Sequence, residues 1–514
     1  MNTDVLVVGA GPTGLALAID LARRGVPVRI VDKAAEFFAG SRGKGLQPRT
    51  QEVLDDLGVS EQISAAGLAG LRRRYYQHGH PPVDSEPVAA ADSPFGAALI
   101  IPQWRVEEIL RARLAEFGVA VELATEVVEV DQDEHGVRAR TAAGDRIDAR
   151  YLVGSDGGHS TVRRLLGVGF RGVTATAPSM LIGDLEVHGL DPDRWHVWNT
   201  AEGALLAICP FAGTPSWQLQ AVVPVNDQGR LPEPSVATFQ RIITELTELP
   251  DVWVDNLTWR SVYRVNERLA DRFRVGRVFL AGDAAHAHSP AAGLGMNTGI
   301  QDAYNLGWKL GLVLAGVADP ALLDTYQAER LPIAEWTLDT SGRRLRAIAA
   351  AADQQGGIDA GTGPETRQLG LGYRDSRLSQ NLGGDGPLSA GDRAPDAPVH
   401  GLPGISRLHE ALHGTGFTLL GFGAGSRSAL ESPAGLGTGL VRPVEVSAAA
   451  DPEGLAAERY GVTGDTLVLV RPDGYLGLIA SADRPAAVSD YLAALSGPVA
   501  TPTPEGQLGS PRIA

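Results

Sequence analysis

Cysteine is almost absent from this chain: its 514 residues hold one, Cys209. A single thiol excludes an internal disulfide and any thiol-pair redox centre within one chain, and it fits a reducing compartment. Long apolar runs are missing too. No segment approaches the ~18 uninterrupted apolar residues that a membrane helix needs. The start of the chain passes straight into Asp4-Val-Leu-Val-Val8 and a glycine, without the basic start and longer apolar run of a signal peptide. These absences predict a cytoplasmic protein with no membrane partner. Positive charge is also in deficit, with 45 Lys and Arg against 61 Asp and Glu and a net charge of −16. That balance argues against nucleic acid as the main partner. The basic run LRRRY at 71–75 is too short to reverse it and reads as a solvated strand edge. No Ser-His-Asp or Cys-His grouping points to a nucleophile.

What is present is ample apolar material, 44% of residues, in a length that holds two to four domains at ~100–200 residues each. VLVV (5–8) is a continuous apolar run, as in a strand buried on both faces. Leu15 to Arg24 has helical periodicity, Gly25 stops it, and Val26 to Val31 supplies a second strand. Helical segments are expected at 49–57 and 105–117, and a β-meander over 119–153. Residues 170–262 alternate β-like runs with Pro/Gly turns and read as an inserted sheet domain. Around 275 the strand RVFLAGD appears, followed by a glycine loop and a helix to about Leu314.

The turn GAGPTG places Gly9, Gly11 and Gly14 directly between a strand and a helix. Such glycines permit a tight turn, close approach of backbone to a pyrophosphate, and close packing of helix on strand. The helix amino terminus then offers N–H groups and a partial positive charge to phosphate. Asp32 follows at the end of the second strand, about twenty residues on, where a carboxylate accepts ribose hydroxyls. The combination predicts a dinucleotide with a free ribose diol, either FAD or NAD.

A second stretch, VFLAGDAAHAHSPAAGLGMNTGIQDA (278–303), separates those two. His286 and His288 raise the idea of a metal, but no carboxylate or cysteine cluster follows at ligand spacing, so no metal is expected. His286 reads as a hydrogen-bonded loop histidine and His288 as a partly exposed one. A flavin needs a second contact region late in the chain, because its ring lies far from its adenine. Asp283 ends the strand where it could bond the cofactor's sugar chain, and the loop 290–295 carries little side-chain bulk. The helix starting near Asn297 points its positive end at the site, which suits the negative charge of a reduced ring.

The GAGPTG turn, the loop Ser41-Arg42-Gly-Lys-Gly-Leu-Gln-Pro-Arg49, PQWRVE at 102–107, VGSDGGHS at 153–160 and GDAAHAHSPAAGLGMNTGIQDAYNLGWKL together resemble the class A flavoprotein aromatic hydroxylases. The likeness runs in motif order from residue 3 to about 334. It is closer to the polyketide and phenol hydroxylase branch, whose thioredoxin-like appendage GDRAPDAPV (391–399) and LVRPDGYLG (469–477) resemble. With no cysteine there, a redox role for that appendage is excluded.

The resemblance implies an α/β fold: a Rossmann-like FAD domain split over 1–175 and 262–345, and a β-sheet substrate domain at 176–261 with part of 72–102. A linker or helical segment at 346–387, a thioredoxin-like domain at 388–497 and a disordered tail at 498–514 complete it. It implies FAD contacts at Arg42 and Gln103. Asp156 belongs to a motif used at the pyrophosphate and for the nicotinamide donor, and Asp283 should bind the ribityl chain. Pro290 should lie near the ring, with Gly293, Gly295, Met296 and Asn297 along its edge. Pro12, Thr13, Lys33 and Val127 complete the expected cofactor-binding set, while no catalytic side chain can be picked out. NADPH or NADH would serve as transient donor, and oxygen would be activated as a C4a-hydroperoxide and passed to a polycyclic, polyketide-type or antibiotic aromatic. The absence of a second GxGxxG fits class A, where the donor has no domain of its own. Baeyer–Villiger or oxidase chemistry on the same fold, and a non-catalytic flavin-binding protein, stand as alternatives. The chain would act as a monomer or homodimer. Trp195, Trp198, Phe211, Trp217, Trp253 and Trp259 read mostly as core of the inserted domain.

Overall fold

The computed structural model describes residues 2–77, 80–174, 180–199, 204–225, 230–264, 266–289, 292–350, 363–383, 386–431 and 439–497. Pro290, the Ala/Gly-rich stretch 351–362 and the tail 498–514 lie outside these residues.

The VLVV run forms the strand Asn2–Val8, with Val5 and Val7 fully buried. It pairs in parallel with Val28–Val31 on one side and Arg146–Gly154 on the other, Val5 opposite Val28 and Tyr151. Val278–Leu280 extends the sheet in parallel beyond Arg146–Gly154, and Val121–Glu122 beyond Val28–Val31. Arg146–Gly154 is also the last strand of an antiparallel meander with Val127–Gln132 and Val137–Thr141. The meander segment therefore joins directly to the dinucleotide-type sheet.

The helix Gly295–Leu314 is buried over nearly all its circumference, so its apolar residues are not confined to one stripe. Each fully buried Leu or Ile there contributes roughly 1.5–3 kcal/mol of transfer free energy. It packs against the helix Pro12–Arg23 at a distance that glycine sets. A Cβ at Gly307 would lie 2.2 Å from Asp20 Oδ2, and one at Gly299 2.4 Å from Thr13 Oγ1.

A seven-stranded sheet is inserted between these parts, in the order Trp253–Tyr263, Met180–His188, Ser216–Val222, Leu205–Pro210, Arg194–Asn199, Arg72–Gln77, Val83–Ser85. The basic run thus lies in Arg72–Gln77, paired on both sides rather than at an edge. Its charges are matched laterally: Arg74 holds Asp84 at 2.7 Å, and Arg73 sits 5.0 Å over the Trp195 ring. The helix Val236–Thr247 closes one face through fully buried Phe239. Trp198, Phe211 and Trp217 are core, whereas Trp253 is exposed.

The C-terminal unit is a mixed five-stranded sheet flanked by helices, with Phe417–Phe422 parallel to Val441–Val446 and antiparallel to Thr466–Val470. Buried polar contacts join it to the rest, among them the ion pair of Arg393 with Glu52 at 3.1 Å and the hydrogen bond that Arg49 donates to the Asp473 carbonyl at 2.6 Å. Among the described residues no helix is long and apolar enough to cross a membrane.

Candidate functional site

The first strand ends in a turn that only glycine permits. Gly9 has φ +105°, and a Cβ there would fall 2.4 Å from the Ser155 carbonyl oxygen; at Gly14 it would fall 2.0 Å from the Gly9 oxygen. Ser155 Oγ donates to that same Gly9 carbonyl at 2.9 Å and locks the turn. Gly11 differs: a Cβ added there meets nothing within 4 Å. Pro12 opens the following helix, whose amino terminus has no side-chain cap. Thr13 is a packing wedge, with its Oγ1 within 2.6 Å of where a Cβ on Gly282 would stand.

Asp32 closes one end of the open space. Its Oδ2 accepts from Ala10 N at 2.8 Å and Oδ1 from Ala34 N at 2.9 Å, which aims the carboxylate while leaving lone pairs free. Lys33 beside it is exposed. Val127 puts its side chain into the core and brings no polar group to the cleft.

The loop Ser41–Leu46 forms one wall. Gln103 Oε1 accepts from Gly43 N at 3.1 Å, its own backbone N donates to the Gly43 oxygen at 3.0 Å, and its Nε2 donates to Glu107 at 2.8 Å. Gln103 therefore holds this loop in place. Burial pushes the Glu107 carboxyl up to about 7, with the Gln103 hydrogen bond opposing. Arg42 is exposed, stacks 4.9 Å from the Phe38 ring, and its charge reaches both Glu107 and Asp283.

The opposite wall is the loop and helix start after Val278–Leu280. Asp283 is exposed to the cleft yet crowded by protein, and that crowding raises its carboxyl pKa against the pull of His286 and Arg42. Gly293, at φ +62°, and Gly295 both face open space. Met296 reaches the other wall: a Cβ on Gly43 would lie 3.6 Å from its Cε and 3.5 Å from Gln103 Oε1. Asn297 is fully buried and ties the walls together, accepting from Gln47 N at 2.8 Å and donating to the Gly45 and Gly293 oxygens at 2.9 and 2.8 Å. Asp156 caps the helix Thr161–Leu165, accepting from Thr161 N at 2.6 Å and from Ser160 Oγ. Its backbone lies against the dinucleotide turn, where a Cβ on Gly9 would fall 2.8 Å from the Asp156 Cα.

The histidine pair belongs to a buried chain. Asp302 takes His286 Nε2 at 2.5 Å, Gly282 N at 3.0 Å and Arg330 Nε at 2.6 Å. His286 Nδ1 then meets His288 Nε2 at 2.8 Å. His288 is buried, not partly exposed as its neighbours in sequence suggest, and burial lowers its pKa well below the ordinary value. The residues expected from sequence do not include Asp302 and Arg330, although an acid on so apolar a helix as Gly295–Leu314 is a signal for Asp302.

The open space at Gly11, Gly293 and Gly295 fits a flat, anionic dinucleotide. Bare glycines let such a ligand touch backbone, two uncapped helix starts suit negative charge, and Asp32 suits a diol. The donor set matches FAD: an acid for the ribose at one end and a side-chain-free loop for a ring at the other.

Comparison with known proteins agrees. Residues 2–341 match the FAD binding domain family, and residues 388–498 match a family described as aromatic-ring hydroxylase, C-terminal. A flavin-dependent monooxygenase of Mycobacteroides abscessus is 41% identical over 510 residues, covering 95% of this chain and 99% of its own. A 12-dehydrotetracycline 5-monooxygenase/anhydrotetracycline 6-monooxygenase of Streptomyces rimosus is 35% identical over 500 residues, covering 93% and 95%. The solved ternary complex of aklavinone-11 hydroxylase with FAD and aklavinone superposes with a TM-score of 0.80 at 29% identity, over 96% of this chain and 98% of that one.

Proposed function

We propose that this chain, which belongs to the FAD-dependent aromatic-ring hydroxylases, is a monooxygenase that uses NAD(P)H and O2 to hydroxylate a polycyclic aromatic of the polyketide or antibiotic type. The observation that carries the substrate side is the docking of the inserted sheet on both walls of the cleft. Gln218 of that sheet donates to the Ser41 carbonyl, and Tyr263 donates to the His288 carbonyl at 3.0 Å. Lys44 on the first wall lies 4.4 Å over the Trp195 ring of the same sheet. An acceptor held by the sheet would therefore stand at a fixed place relative to the ring end of the cofactor.

When bound, FAD supplies the electron transfer and oxygen activation that side chains cannot. The chain's own residues bind and orient. Asp32 would take the adenosine ribose, Gly11 and the helix start at Pro12 the pyrophosphate, and Arg42 and Asp283 the sugar chain. Gly293, Gly295 and Met296 would meet the ring, with Asn297 holding the loop that carries them. Ile100, Cys209 and Phe211 form a buried apolar cluster with Trp195, and burial pushes the Cys209 thiol up to about 11, so it stays neutral. Positioning and water exclusion are the catalytic tasks left to the protein, and neither needs a nucleophile.

The test is anaerobic reduction of the protein-bound flavin by NADPH and by NADH, with and without tetracyclic and anthracyclinone phenols. The expected result is that one such compound speeds reduction many-fold and, in air, leaves a product heavier by one oxygen atom. A product of unchanged mass, or the same reduction rate with every ligand, would replace this reading with an oxidase or a non-redox flavin-binding role.

A further inference from the structure

In the segment Arg407-Leu-His409-Glu-Ala-Leu-His413, His409 lies in the short helix Leu408–Ala411 and His413 just past its end, and the two rings meet at 4.9 Å between centroids. The fold brings that pair, in the C-terminal unit, against Asp55 at the end of the helix Pro48–Asp56. His409 Nε2 lies 3.2 Å and His413 Nε2 3.1 Å from the same oxygen, Asp55 Oδ2. One ligand atom from each of the three residues falls within 4.8 Å of the other two.

Both imidazoles converge on one carboxylate oxygen at ion-pair distance, and their rings stand edge to face. A tetrahedral ion with ligand bonds of about 2.0–2.1 Å spaces its ligand atoms about 3.3–3.4 Å apart, close to the two distances found. The supports that fix metal ligands are also present. Asp55 Oδ1 accepts from Ser60 Oγ, the His409 backbone N donates to Asp396 Oδ1 at 3.0 Å, and the His409 ring stands edge-on to Phe95. His409 is buried, while Asp55 and His413 keep side-chain exposures of 22% and 33%, which leaves a way in and room for water as a fourth ligand.

We propose that Asp55, His409 and His413 bind one divalent transition-metal ion of the zinc type, clasping the C-terminal unit to the dinucleotide-binding unit. Two imidazoles and one carboxylate suit zinc better than magnesium or calcium, which prefer all-oxygen sites. The HExxH spacing is that of metalloproteases, but Glu410 is not placed as their general base. Its carboxylate accepts from Ser406 N at 2.6 Å and Arg407 N at 3.3 Å, capping its own helix. The site is structural, without hydrolytic chemistry. It sits on a seam already drawn together by Gly414 N donating to Asp56 at 2.6 Å.

The experiment is calorimetric titration of the chelator-stripped, full-length, FAD-loaded protein with Zn2+, with elemental analysis after dialysis and thermal unfolding with and without the ion. One equivalent of tightly held zinc and a higher unfolding temperature are expected in the wild type. His413→Gln, at a partly exposed position, should keep its metal-free unfolding temperature, lose at least about tenfold in zinc affinity and lose the thermal gain. His409→Gln should do the same. His188→Gln, in the half-buried trio Glu186, His188 and Asp255, should bind zinc as the wild type does. No saturable binding, or equal affinity in the wild type and both His409 and His413 variants, overturns the proposal and leaves an ordinary Asp–His ion pair.

Discussion

Arg471 donates to both carboxylate oxygens of Glu329, at 2.8 and 2.9 Å, across the boundary between the C-terminal sheet and the helix Asp324–Ala350, and both side chains are withdrawn from water. Lys309 Nζ takes the same Glu329 at 2.7 Å, and Asp473 takes Arg471 at 2.6 Å. The cluster holds two cations and two anions, and Asn305 and Trp308 supply further donors. Charges removed from water this completely are tolerated only as a set.

Arg471→Met should therefore act far beyond its local packing. It leaves Glu329 and Asp473 sharing one buried lysine, and loss of one partner from a buried pair costs about 3–5 kcal/mol. Arg427, 66% exposed and 2.9 Å from Glu445, is the contrast: in water and salt that pair is screened, so Arg427→Ala should leave the unfolding midpoint where it is. Urea unfolding of the two variants side by side checks both expectations, and equal midpoints would show that the cluster is not a clamp.

The glycines of the dinucleotide turn separate folding from binding. Gly14→Ala drives a methyl to 2.0 Å from the Gly9 oxygen, so strand and helix must part, and the apoprotein should lose several degrees of thermal stability. Gly11 has φ −74°, which any residue adopts, and its Cβ would enter open space. Gly11→Ala should leave apoprotein unfolding within about 0.5 kcal/mol of wild type. It should weaken FAD binding at least tenfold, read by flavin fluorescence on titration. An unchanged FAD affinity would move the pyrophosphate away from Gly11.

How far the sequence reaches is visible in the same residues. Gly9, Gly14 and Asp32 were readable because strand, turn and acid lie within one local unit, each with a role set by backbone geometry. The resemblance implies cofactor contacts at Gln103 and Asn297, and the structure adds that their side chains brace Gly43, Gly45, Gln47 and Gly293. Partners 60 and 250 residues away leave no local pattern. Asp55 facing His409 and His413 is the same case. The histidine spacing is local, whereas the third side chain arrives only with the fold.

Asp302 predicts the acid limb of the stability curve. Arg330 and His286 hold its carboxyl down to about 2 against the opposing effect of burial. A depressed acid contributes stability that is complete above its unfolded value near 4 and is lost as pH falls toward 2. Asp302→Asn removes that contribution and strands Arg330, a loss of roughly 3–5 kcal/mol at neutral pH. Its unfolding midpoint should fall less steeply than wild type between pH 4 and pH 2. Parallel acid limbs in the two proteins would place the titrating group elsewhere.

Glu107 predicts the opposite slope at higher pH. Burial raises its carboxyl to about 7 from the ordinary 4.5, with Asp32 adding to the rise and Gln103, Arg111 and Arg42 opposing it. The folded protein then holds a proton that the unfolded chain has released. Stability from this group is complete below pH 4.5, declines as pH rises, and is gone above about 7. The span corresponds to roughly 3 kcal/mol at most, since one pKa unit is about 1.4 kcal/mol. Glu107→Gln keeps the side-chain shape and cannot ionise, so its stability between pH 5 and pH 7.5 should be flatter than wild type and higher at pH 7.5. Thermal unfolding of FAD-free protein across that range measures the difference. Because Gln103 donates to Glu107 while bracing Gly43, ionisation here also acts on the wall of the flavin cleft, and the same pH series with FAD present should show affinity changing in wild type but not in Glu107→Gln.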